Sequence, residues 1–372
     1  MRIAVVDPLS YTPPYDHELA AALARRGHEV ELLTSAYLHG VAPVPVGYRR
    51  REVFLPISTR LLRGAPRARA RLALKAAEYL PSIGRLLRCV KELDPDVVHL
   101  QWLPRPEVDV RWVRRLGRRR PTVLTAHDVV PRRDQALPAW RRALVLVDRV
   151  VAHSHRAVSQ LKELGVEPER IALIPHPVFE AAAPPGPPHG HTLLFFGLLR
   201  SYKGLDVLVR ALPRIPHAKL VVAGDPFDPV EPVQALATEL GVADRIEWRL
   251  GFVPENEVAE LMAGAAVVVL PYRRLDSSGV LATAIGYRRP VVVSDVGSLG
   301  EIVREFGAGL VVPPGDEAAL GDACARLLAD DAALTRAYEG AAKAASTLTW
   351  EASAQEHERV YEEIRGTNRR GL

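Results

Sequence analysis

The amino-acid sequence alternates short runs rich in β-branched residues with longer stretches of helical periodicity. Six runs of strand character lie in the first half, at residues 2–7, 29–34, 96–100, 122–127, 150–154 and 171–175. Six more lie in the second half, at residues 192–197, 219–224, 245–251, 267–272, 290–295 and 310–313. Strands that alternate with helices in this way predict βαβ units on a parallel sheet. The chain is therefore expected to be α/β, with the alternation restarting once along its length.

A proline-rich segment separates the two series of strands. Residues 181–190 read Ala-Ala-Ala-Pro-Pro-Gly-Pro-Pro-His-Gly, a composition that neither a helix nor a central strand tolerates. A length of 372 residues fits two domains at roughly 150 residues each. The sequence thus predicts an N-terminal Rossmann-like domain at 1–180, a linker at 181–190 and a C-terminal Rossmann-like domain at 191–348. A last helix at 349–372 is expected to pack back on the N-terminal domain.

Composition excludes several classes of protein. A chain that is 48% hydrophobic and 25% charged can bury a core and is not disordered. Cys89 and Cys324 are too far apart in sequence for a zinc-type spacing or a disulfide framework, which favours a cytoplasmic protein. No apolar run approaches the roughly 20 residues that span a bilayer, and the first run is too short for a signal peptide.

The positive charge of the chain is concentrated in its first half. Residues 1–180 hold 30 Lys and Arg against 19 Asp and Glu, whereas the rest of the chain carries a net negative charge. Within the basic stretches 60–71 and 111–120, Arg63, Arg67 and Arg71 are spaced to form one stripe if helical. An anionic membrane surface, a polyanionic acceptor and a merely solvated face all stay open. Nucleic acid is disfavoured, because no known nucleic-acid-binding motif appears.

Two cations follow the first strand of the second half. The sequence from 196 to 204 ends a strand in Gly197 and then places Arg200 and Lys203 three residues apart, with a glycine after the lysine. Gly197 allows a ligand to approach the backbone, and both cations can reach one anionic group. Phosphate is the natural anion for such a pair. The alternative is two solvated cations on a turn.

A second anion site is predicted at residues 275–280, between a strand and a helix. Small residues at the start of a helix leave backbone N–H groups and a favourable dipole for phosphate, and Ser278, Gly279 and Val280 stand there. The alternative is that Asp276 or Ser277 only caps the helix.

In the first half, His127 and Asp128 follow a predicted strand, where an imidazole can bind a hydroxyl or move a proton. His99, at the end of another strand, is expected to be structural. The sequence contains no G-x-G-x-x-G after a strand, no Walker A loop and no G-x-S-x-G elbow, and its histidines are not spaced as metal ligands. Dinucleotide-dependent dehydrogenases, P-loop NTPases and hydrolases of the elbow type are thereby excluded.

Taken in order, these motifs resemble a known family. Four motifs are similar to those of the retaining glycosyltransferases of the GT-B fold, family four, also called group 1. They are the glycine followed by Arg200 and Lys203, Leu-Val-Val-Ala-Gly-Asp at 220–225, Pro-Val-Val-Val-Ser-Asp at 290–295 and Gly-Leu-Val-Val-Pro-Pro-Gly-Asp at 309–316. The stretch from 251 to 262 and the tail around Trp350 fit the same pattern. The resemblance covers nearly the whole chain and implies two Rossmann-like domains that face a cleft.

The resemblance also implies roles for the candidate residues. Arg200 and Lys203 would neutralise the donor's diphosphate without a metal or other cofactor, with Gly197 beside them. Ser278, Gly279 and Val280 would offer amides to the same diphosphate. His127, with Asp128, would lie near the transferred sugar. The nucleotide base would lie by four consecutive residues, namely Gly251, Phe252, Val253 and Pro254.

The chain departs from the family at two places. The family's E-x7-E element would put glutamates at Leu275 and Thr283, where this chain has none. Asp276, Ser277 and Thr283 are kept as candidate donor contacts, with the nucleotide left open. The first loop, which is glycine-rich in many members, reads Tyr-Thr-Pro-Pro-Tyr at 11–15. Prolines have no N–H to donate, so this loop is expected to shape the acceptor side.

The expected function is therefore metal-independent, retaining transfer of a hexose-type sugar from a nucleotide diphosphate sugar to an acceptor hydroxyl. The C-terminal domain would bind the donor, and the basic N-terminal domain an anionic or lipid-linked glycan acceptor, in the cytoplasm or at the inner face of the membrane. Two alternatives are an epimerase or phosphorylase on the same fold, and a non-catalytic nucleotide-binding homologue.

Overall fold

The computed structural model of the protein describes residues 1–37, 41–61, 69–130 and 134–368. The chain divides into two compact units, which are treated separately below. The first unit comprises Met1–Pro175 together with Trp350–Leu372, and the second comprises His176–Thr349. In the described residues, no helix is both long enough and apolar enough to span a bilayer.

Strands and helices are numbered along the chain. The strands are β1 (Arg2–Asp7), β2 (Glu29–Ser35), β3 (Arg49–Phe54), β4 (Val97–Leu100), β5 (Thr122–Thr125), β6 (Arg149–Ala152), β7 (Ile171–Leu173), β8 (Thr192–Phe196), β9 (Lys219–Gly224), β10 (Ile246–Leu250), β11 (Val267–Leu270), β12 (Val291–Ser294) and β13 (Gly309–Val312). The helices are α1 (Pro13–Arg25), α2 (Pro56–Leu61), α3 (Arg69–Leu93), α4 (Pro106–Gly117), α5 (Leu137–Leu144), α6 (His155–Glu163), α7 (Leu205–Ala211), α8 (Glu231–Glu239), α9 (Glu255–Gly264), α10 (Gly279–Gly286), α11 (Leu299–Phe306), α12 (Glu317–Ala329), α13 (Asp331–Thr347) and α14 (Trp350–Asn368).

The first unit is built on a parallel sheet. Its described strands run in the order β3-β2-β1-β4-β5-β6-β7, so the direction of winding reverses between β1 and β4. The central strands are buried on both faces, as the apolar runs of β1 and β4 require. Ligands of doubly wound sheets bind beyond the carboxyl ends of the strands at such a reversal. The loops after β1, β4 and β5 therefore lie where a ligand is expected to bind.

Helix α1 begins three residues before Asp16, a residue of a type that favours the N-cap position. Asp16 fits the pattern of an N-cap, but the helix starts at Pro13 with Thr12 in the cap position, and Asp16 is buried in the first turn. The loop before the helix is held instead by the carboxylate of Asp7, which accepts hydrogen bonds from the amides of Leu9, Tyr11 and Thr12. Burial raises the pKa of both carboxyl groups.

Helix α14 belongs to the first unit and packs against α1. Arg26, at the end of α1, forms ion pairs with Glu351 and Glu358 of α14. Tyr361 hydrogen-bonds Nδ1 of His99, a residue of β4, at 2.7 Å. The terminal helix thus reaches the centre of the sheet.

The second unit contains another parallel sheet, whose described strands run in the order β10-β9-β8-β11-β12-β13. Its winding reverses between β8 and β11. All four residues of β11 and of β12 are buried, because helices cover both faces of the sheet. The loops that leave β8 and β11 accordingly carry the candidate site of this unit.

The predicted linker is part of the second unit. The amide of Val178 donates to the carbonyl of Leu348 at 2.8 Å, and the guanidinium of Arg289, itself 1% exposed, donates to the carbonyls of Pro185 and Gly186. These hydrogen bonds fix the proline-rich segment to the rest of the second unit. The chain passes between the units at Pro175–His176, five residues before the predicted boundary, and returns at Thr349–Trp350.

Other differences from the sequence prediction are local. The pattern missed β3, because its first four residues, Arg-Arg-Arg-Glu, are charged and mostly exposed. Several predicted strands end one or two residues early. Arg63 and Arg67 of the predicted cationic stripe, and the side chain of Arg71, lie outside the described residues.

Candidate functional site

Two glycines bring the ends of β8 and β9 into contact in the second unit. Gly197 follows β8 with φ +99°, and Gly224 ends β9 with φ +151°. A side chain on Gly224 would overlap the carbonyl of Gly197, and the amide of Gly197 donates to the carbonyl of Ala223 at 3.0 Å. Both positions therefore require glycine, because neighbouring atoms occupy the space that a Cβ atom would fill.

Lys203 lies beside Gly197, which is half-buried. A Cβ atom built on Gly197 would lie 3.2 Å from Nζ of Lys203 and 2.9 Å from Cγ2 of Val280. The lysine ends a 3₁₀ turn, and the next residue, Gly204, has φ +71° with its Cα packed against the carbonyl of Pro271. Only glycine fits there, so the close approach of these two loops fixes the lysine at the switch point.

Burial leaves Lys203 as an unusual cation. Its side chain is 7% exposed, and burial, with the nearby positive charge of Arg200, lowers its pKa to about 8. Nζ lies 5.4 Å from the ring centroid of Tyr272, whose phenol pKa is raised by burial. Within the described part of the chain, no carboxylate oxygen lies within 4 Å of this ammonium group. A buried ammonium without a carboxylate favours the binding of an anionic ligand.

Arg200 also faces an aromatic ring. Its guanidinium carbon lies 3.7 Å from the ring centroid of Phe227, in the loop after β9. The neighbouring carboxylate of Asp228 accepts a hydrogen bond from the amide of Ser201 at 2.7 Å, which lowers the pKa of that carboxyl group. Both cations predicted from the sequence are therefore placed against rings.

The start of helix α10 meets the same site. Ser278 is its N-cap, and the hydroxyl oxygen accepts from the amide of Leu281 at 3.2 Å. Neither Asp276 nor Ser277 caps the helix, so that alternative was wrong. The amides of Gly279 and Val280 stand in the first turn, where no intrahelical acceptor exists. Because Val280 adjoins Gly197, these donors and Lys203 converge on one place.

The positions of the family's two glutamates are occupied differently. Leu275 packs against the apolar core, and the carbonyl of Asp276 accepts a hydrogen bond from the amide of Ser298 at 2.8 Å. The hydroxyl of Thr283 donates to the carbonyl of Gly279 at 2.9 Å, within its own helix. Ser277 is half-buried between them.

Residues 251–254 lie at the edge of the same sheet, after β10. Gly251 has φ +132°, and its amide donates to the carbonyl of Gly224 at 3.0 Å. Phe252 is 64% exposed, Val253 packs against the core, and Pro254 is the N-cap of α9. An exposed ring beside the glycine pair is suited to stack on a nucleotide base.

In the first unit, His127 stands after β5 and is 4% exposed. Its Nε2 lies 2.9 Å from Oε1 of Gln101, and its ring stacks on Trp102 with centroids 5.0 Å apart. The indole of Trp102 donates to the hydroxyl of Thr12 at 3.0 Å. Asp128, next in the chain, is half-buried. The loops after β1, β4 and β5 thus meet around this imidazole.

Gln101 and Trp102 were missed at the sequence level. Both directly follow β4, in the sequence His-Leu-Gln-Trp, and a polar side chain just after a buried strand was the available signal. His99 is structural, as expected. It is fully buried between Tyr361 and Thr125, and burial lowers its pKa well below the usual value.

Among the described residues, the side chains form neither a metal-binding group nor a disulfide. The part of the chain that the structure describes holds no group of three or more His, Cys, Asp or Glu placed to bind a metal. Cys89 and Cys324 are both thiols, and burial raises the pKa of Cys324 to about 12.

Comparison with known families decides the class of the protein. Residues 15–180 match the model described as Glycosyltransferase Family 4, and residues 190–330 match that of Glycosyl transferases group 1. Together the two matches cover well over half of the chain. The chain belongs to these glycosyltransferases. It is therefore an enzyme of that class, in preference to an epimerase, a phosphorylase or a non-catalytic homologue.

Relatives of the glycosyltransferase align over most of its length. D-inositol 3-phosphate glycosyltransferase of Thermomonospora curvata is 27% identical over 93% of this chain and 89% of its own. Phosphatidyl-myo-inositol mannosyltransferase of Mycobacterium leprae is 28% identical over 98% and 97%.

Solved structures share the fold of the glycosyltransferase. Sucrose-phosphate synthase from Thermosynechococcus elongatus superposes with a TM-score of 0.77 at 21% identity, over 99% of this chain and 100% of that one. HepE from Anabaena, solved with UDP-glucose, gives 0.75 at 16% identity, over 98% and 100%. The chain thus has the GT-B architecture of two Rossmann-like domains.

Proposed function

We propose that this glycosyltransferase moves a hexose-type sugar from a nucleotide diphosphate sugar to an acceptor hydroxyl, with retention and without a metal. One observation carries the donor assignment. Lys203 is a buried cation with no carboxylate within 4 Å among the described residues, and it adjoins the bare backbone of Gly197. A diphosphate is the anion that such a site would bind most strongly, because its oxygens would also accept hydrogen bonds from the backbone amides at the N-terminus of α10.

Glycosyl transfer requires the site to stabilise the nucleoside diphosphate as a leaving group. The bond between the anomeric carbon and a diphosphate oxygen breaks, the acceptor oxygen bonds to that carbon, and the proton of the acceptor hydroxyl passes to an oxygen of the departing diphosphate. Negative charge develops on the diphosphate, where Lys203, Arg200 and the amides of Gly279 and Val280 would stabilise it. These groups would do the work that a divalent cation does elsewhere. His127 would bind a sugar hydroxyl through its imidazole.

The family's motif does not indicate which nucleotide the donor carries here, because Leu275 and Thr283 replace its two glutamates. HepE from Anabaena was solved with UDP and UDP-glucose, which supports a uridine donor as the first to test. The exposed ring of Phe252 would stack on the base, and stacking tolerates any base.

A basic surface of the first unit supports an anionic acceptor. Helices α4 and α5 connect strands added in the same direction, so right-handed crossovers put both on one face of the sheet. The exposed side chains of these two helices and of the turn directly after α4 include seven arginines, namely Arg111, Arg114, Arg115, Arg118, Arg119, Arg141 and Arg142. In the described ranges, none of these seven has a carboxylate oxygen within 4 Å. This group is called the arginine face below.

The names of two relatives agree with such an acceptor. The Thermomonospora enzyme is named for D-inositol 3-phosphate, and the Mycobacterium enzyme for phosphatidyl-myo-inositol. We propose a phosphorylated or lipid-linked acceptor, with the arginine face in contact with an anionic membrane when the acceptor is a lipid. Trp112 and Trp140 of the two helices are buried, so the face offers no rings for stacking on nucleic-acid bases.

A ligand screen followed by product analysis tests the proposal. Thermal shift across UDP, GDP, ADP and dTDP and their hexose conjugates should show stabilisation by one nucleotide series. That donor, with inositol phosphates or phosphatidylinositol vesicles, should give a glycoside whose anomeric configuration by NMR equals that of the donor. Turnover should persist in excess EDTA. Inversion at the anomeric carbon, or EDTA inhibition reversed by magnesium, would refute the respective part of the proposal.

A further inference from the structure

The two cations of the proposed diphosphate site share an arrangement that the family resemblance does not assign. Arg200 lies over the ring of Phe227, 3.7 Å from its centroid, and Lys203 lies 5.4 Å from that of Tyr272. In the part of the chain that is described, neither cation has a carboxylate oxygen within 4 Å. A ring attracts a cation through its quadrupole and leaves the net charge of the cation unchanged, whereas a carboxylate would neutralise it and compete with a phosphate.

Backbone hydrogen bonds place the ring of Phe227. The amide of Leu199 donates to the carbonyl of Asp225 at 2.9 Å, and the amide of Phe227 donates back to the carbonyl of Leu199 at 3.0 Å. The carboxylate of Asp228 accepts from the amide of Ser201 at 2.7 Å. The backbone of the loop after β9 is thereby fastened to the residues on both sides of Arg200, which places Phe227 next to the arginine.

The exposure of Phe227 argues against a core role. Its side chain is 45% exposed, so it contributes little to the apolar interior of the second unit. Arg200 has a long flexible side chain that would lose conformational freedom on binding a ligand. A ring that holds the guanidinium beforehand reduces that loss.

We propose that Phe227 is a positioning residue that acts through Arg200, holding its guanidinium ready for the donor's diphosphate without neutralising it. This inference rests on the proposed function, because it assumes that Arg200 binds the diphosphate. It adds a residue of the loop after β9 that no motif in the sequence indicated.

A double-mutant cycle tests the proposal by isothermal titration calorimetry. The probe is whichever of UDP, GDP, ADP and dTDP binds the wild-type protein most tightly. Phe227→Leu removes the ring and keeps an apolar side chain, and we expect it to weaken binding about two- to fivefold, as a partly exposed cation–π contact should. Phe227→Tyr keeps a ring and should bind as the wild type does. Both variants should keep the wild-type melting temperature.

The cycle is completed with Arg200→Ala and with the double variant Arg200→Ala, Phe227→Leu. Arg200→Ala should weaken binding about tenfold or more. If Phe227 acts only through Arg200, the double variant should bind no more weakly than Arg200→Ala alone. Phe227→Gln serves as a second ringless variant should Phe227→Leu fold poorly, and the same loss is expected.

Each other outcome counts against the proposal. If the double variant loses affinity by the product of the two single fold-losses, Phe227 contacts the nucleotide directly and does not act through Arg200. If both ringless variants keep the wild-type affinity, the ring does not position Arg200. Unchanged affinity in Arg200→Ala would overturn the assignment of Arg200 in the proposed function, and the positioning role with it. The donor KM of Phe227→Leu should rise, and its kcat should fall no further than that of Arg200→Ala, through which the ring acts.

Discussion

Nε2 of His127 lies 2.9 Å from the side-chain oxygen of Gln101. An amide oxygen only accepts, so the neutral imidazole carries its proton on Nε2 and presents Nδ1 as an acceptor. Stacking on Trp102 restricts rotation of the ring further. The pair sits where winding of the first sheet reverses, which is where a doubly wound sheet binds its ligand.

Replacing the partner of His127 should impair turnover without affecting donor binding. Gln101→Leu removes the acceptor that fixes the tautomer, and we expect kcat to fall about tenfold or more. The affinity for the nucleoside diphosphate should not change, because the diphosphate groups belong to the other unit. Steady-state kinetics and calorimetry on one preparation measure both quantities. A wild-type kcat in this variant would remove His127 from the reaction.

The pKa of Lys203 predicts how donor binding depends on pH. Burial lowers this pKa to about 8 in the unliganded protein, so the lysine loses its charge as pH rises through that value. A bound diphosphate favours the charged form, so affinity should be constant below pH 7 and fall by up to about tenfold per pH unit above pH 8. Lys203→Arg keeps its charge throughout and should show no such fall. The same decline in both proteins would place the titration elsewhere.

Glycine at position 204 is expected to be indispensable to the site. Its φ of +71° and its contact with the carbonyl of Pro271 leave no room for a Cβ atom. Gly204→Ala should therefore lower the melting temperature by several degrees and weaken nucleoside diphosphate binding, because the turn that holds Lys203 must move. Gly241→Ala is the matched control, with φ +67° and no atom within 4 Å. It should cost only about 1 kcal/mol of backbone strain. Equal losses in the two variants would contradict the steric argument.

Buried histidines predict acid sensitivity of the first unit. Burial lowers the pKa of His153 and His357 to about 4, against about 6.5 in an unfolded chain. The unfolded state binds more protons between these values, so their contribution to stability is complete above about pH 6.5 and is lost as pH falls towards 4. Urea unfolding followed at pH 7.5 and pH 5 should show the loss. His357→Asn, whose amide can still donate to the carbonyl of Ser353, should show a smaller pH dependence, and an unchanged one would refute the assignment.

The alternation of strands and helices was enough to predict the fold class, because parallel strands with helical crossovers allow few topologies. It could not predict where the chain changes units. That boundary depends on the bonds from Arg289 to Pro185 and Gly186, which join residues about a hundred positions apart. Long-range pairing of this kind has no local pattern in sequence.

The candidate site was predictable where one residue type at one strand end carries the chemistry, as with Gly197 and Lys203. Gln101 and Phe227 escaped prediction because their roles come from contacts with His127 and Arg200 across separate loops. The residue that caps α10 could not be identified from the sequence for a related reason. Asp276 and Ser277 suit a cap as well as Ser278 does, and only the helix start decides among them.

The central claim is that the second unit holds a nucleoside diphosphate through Lys203. Calorimetric titration of the tightest-binding nucleoside diphosphate into wild type, Lys203→Ala and Lys219→Ala tests it most directly. Lys219 is exposed at the opposite end of the same sheet, so its removal changes the net charge equally. We expect the Kd of the nucleoside diphosphate to rise about tenfold or more in Lys203→Ala and to stay unchanged in Lys219→Ala. Equal affinities in all three proteins would contradict it.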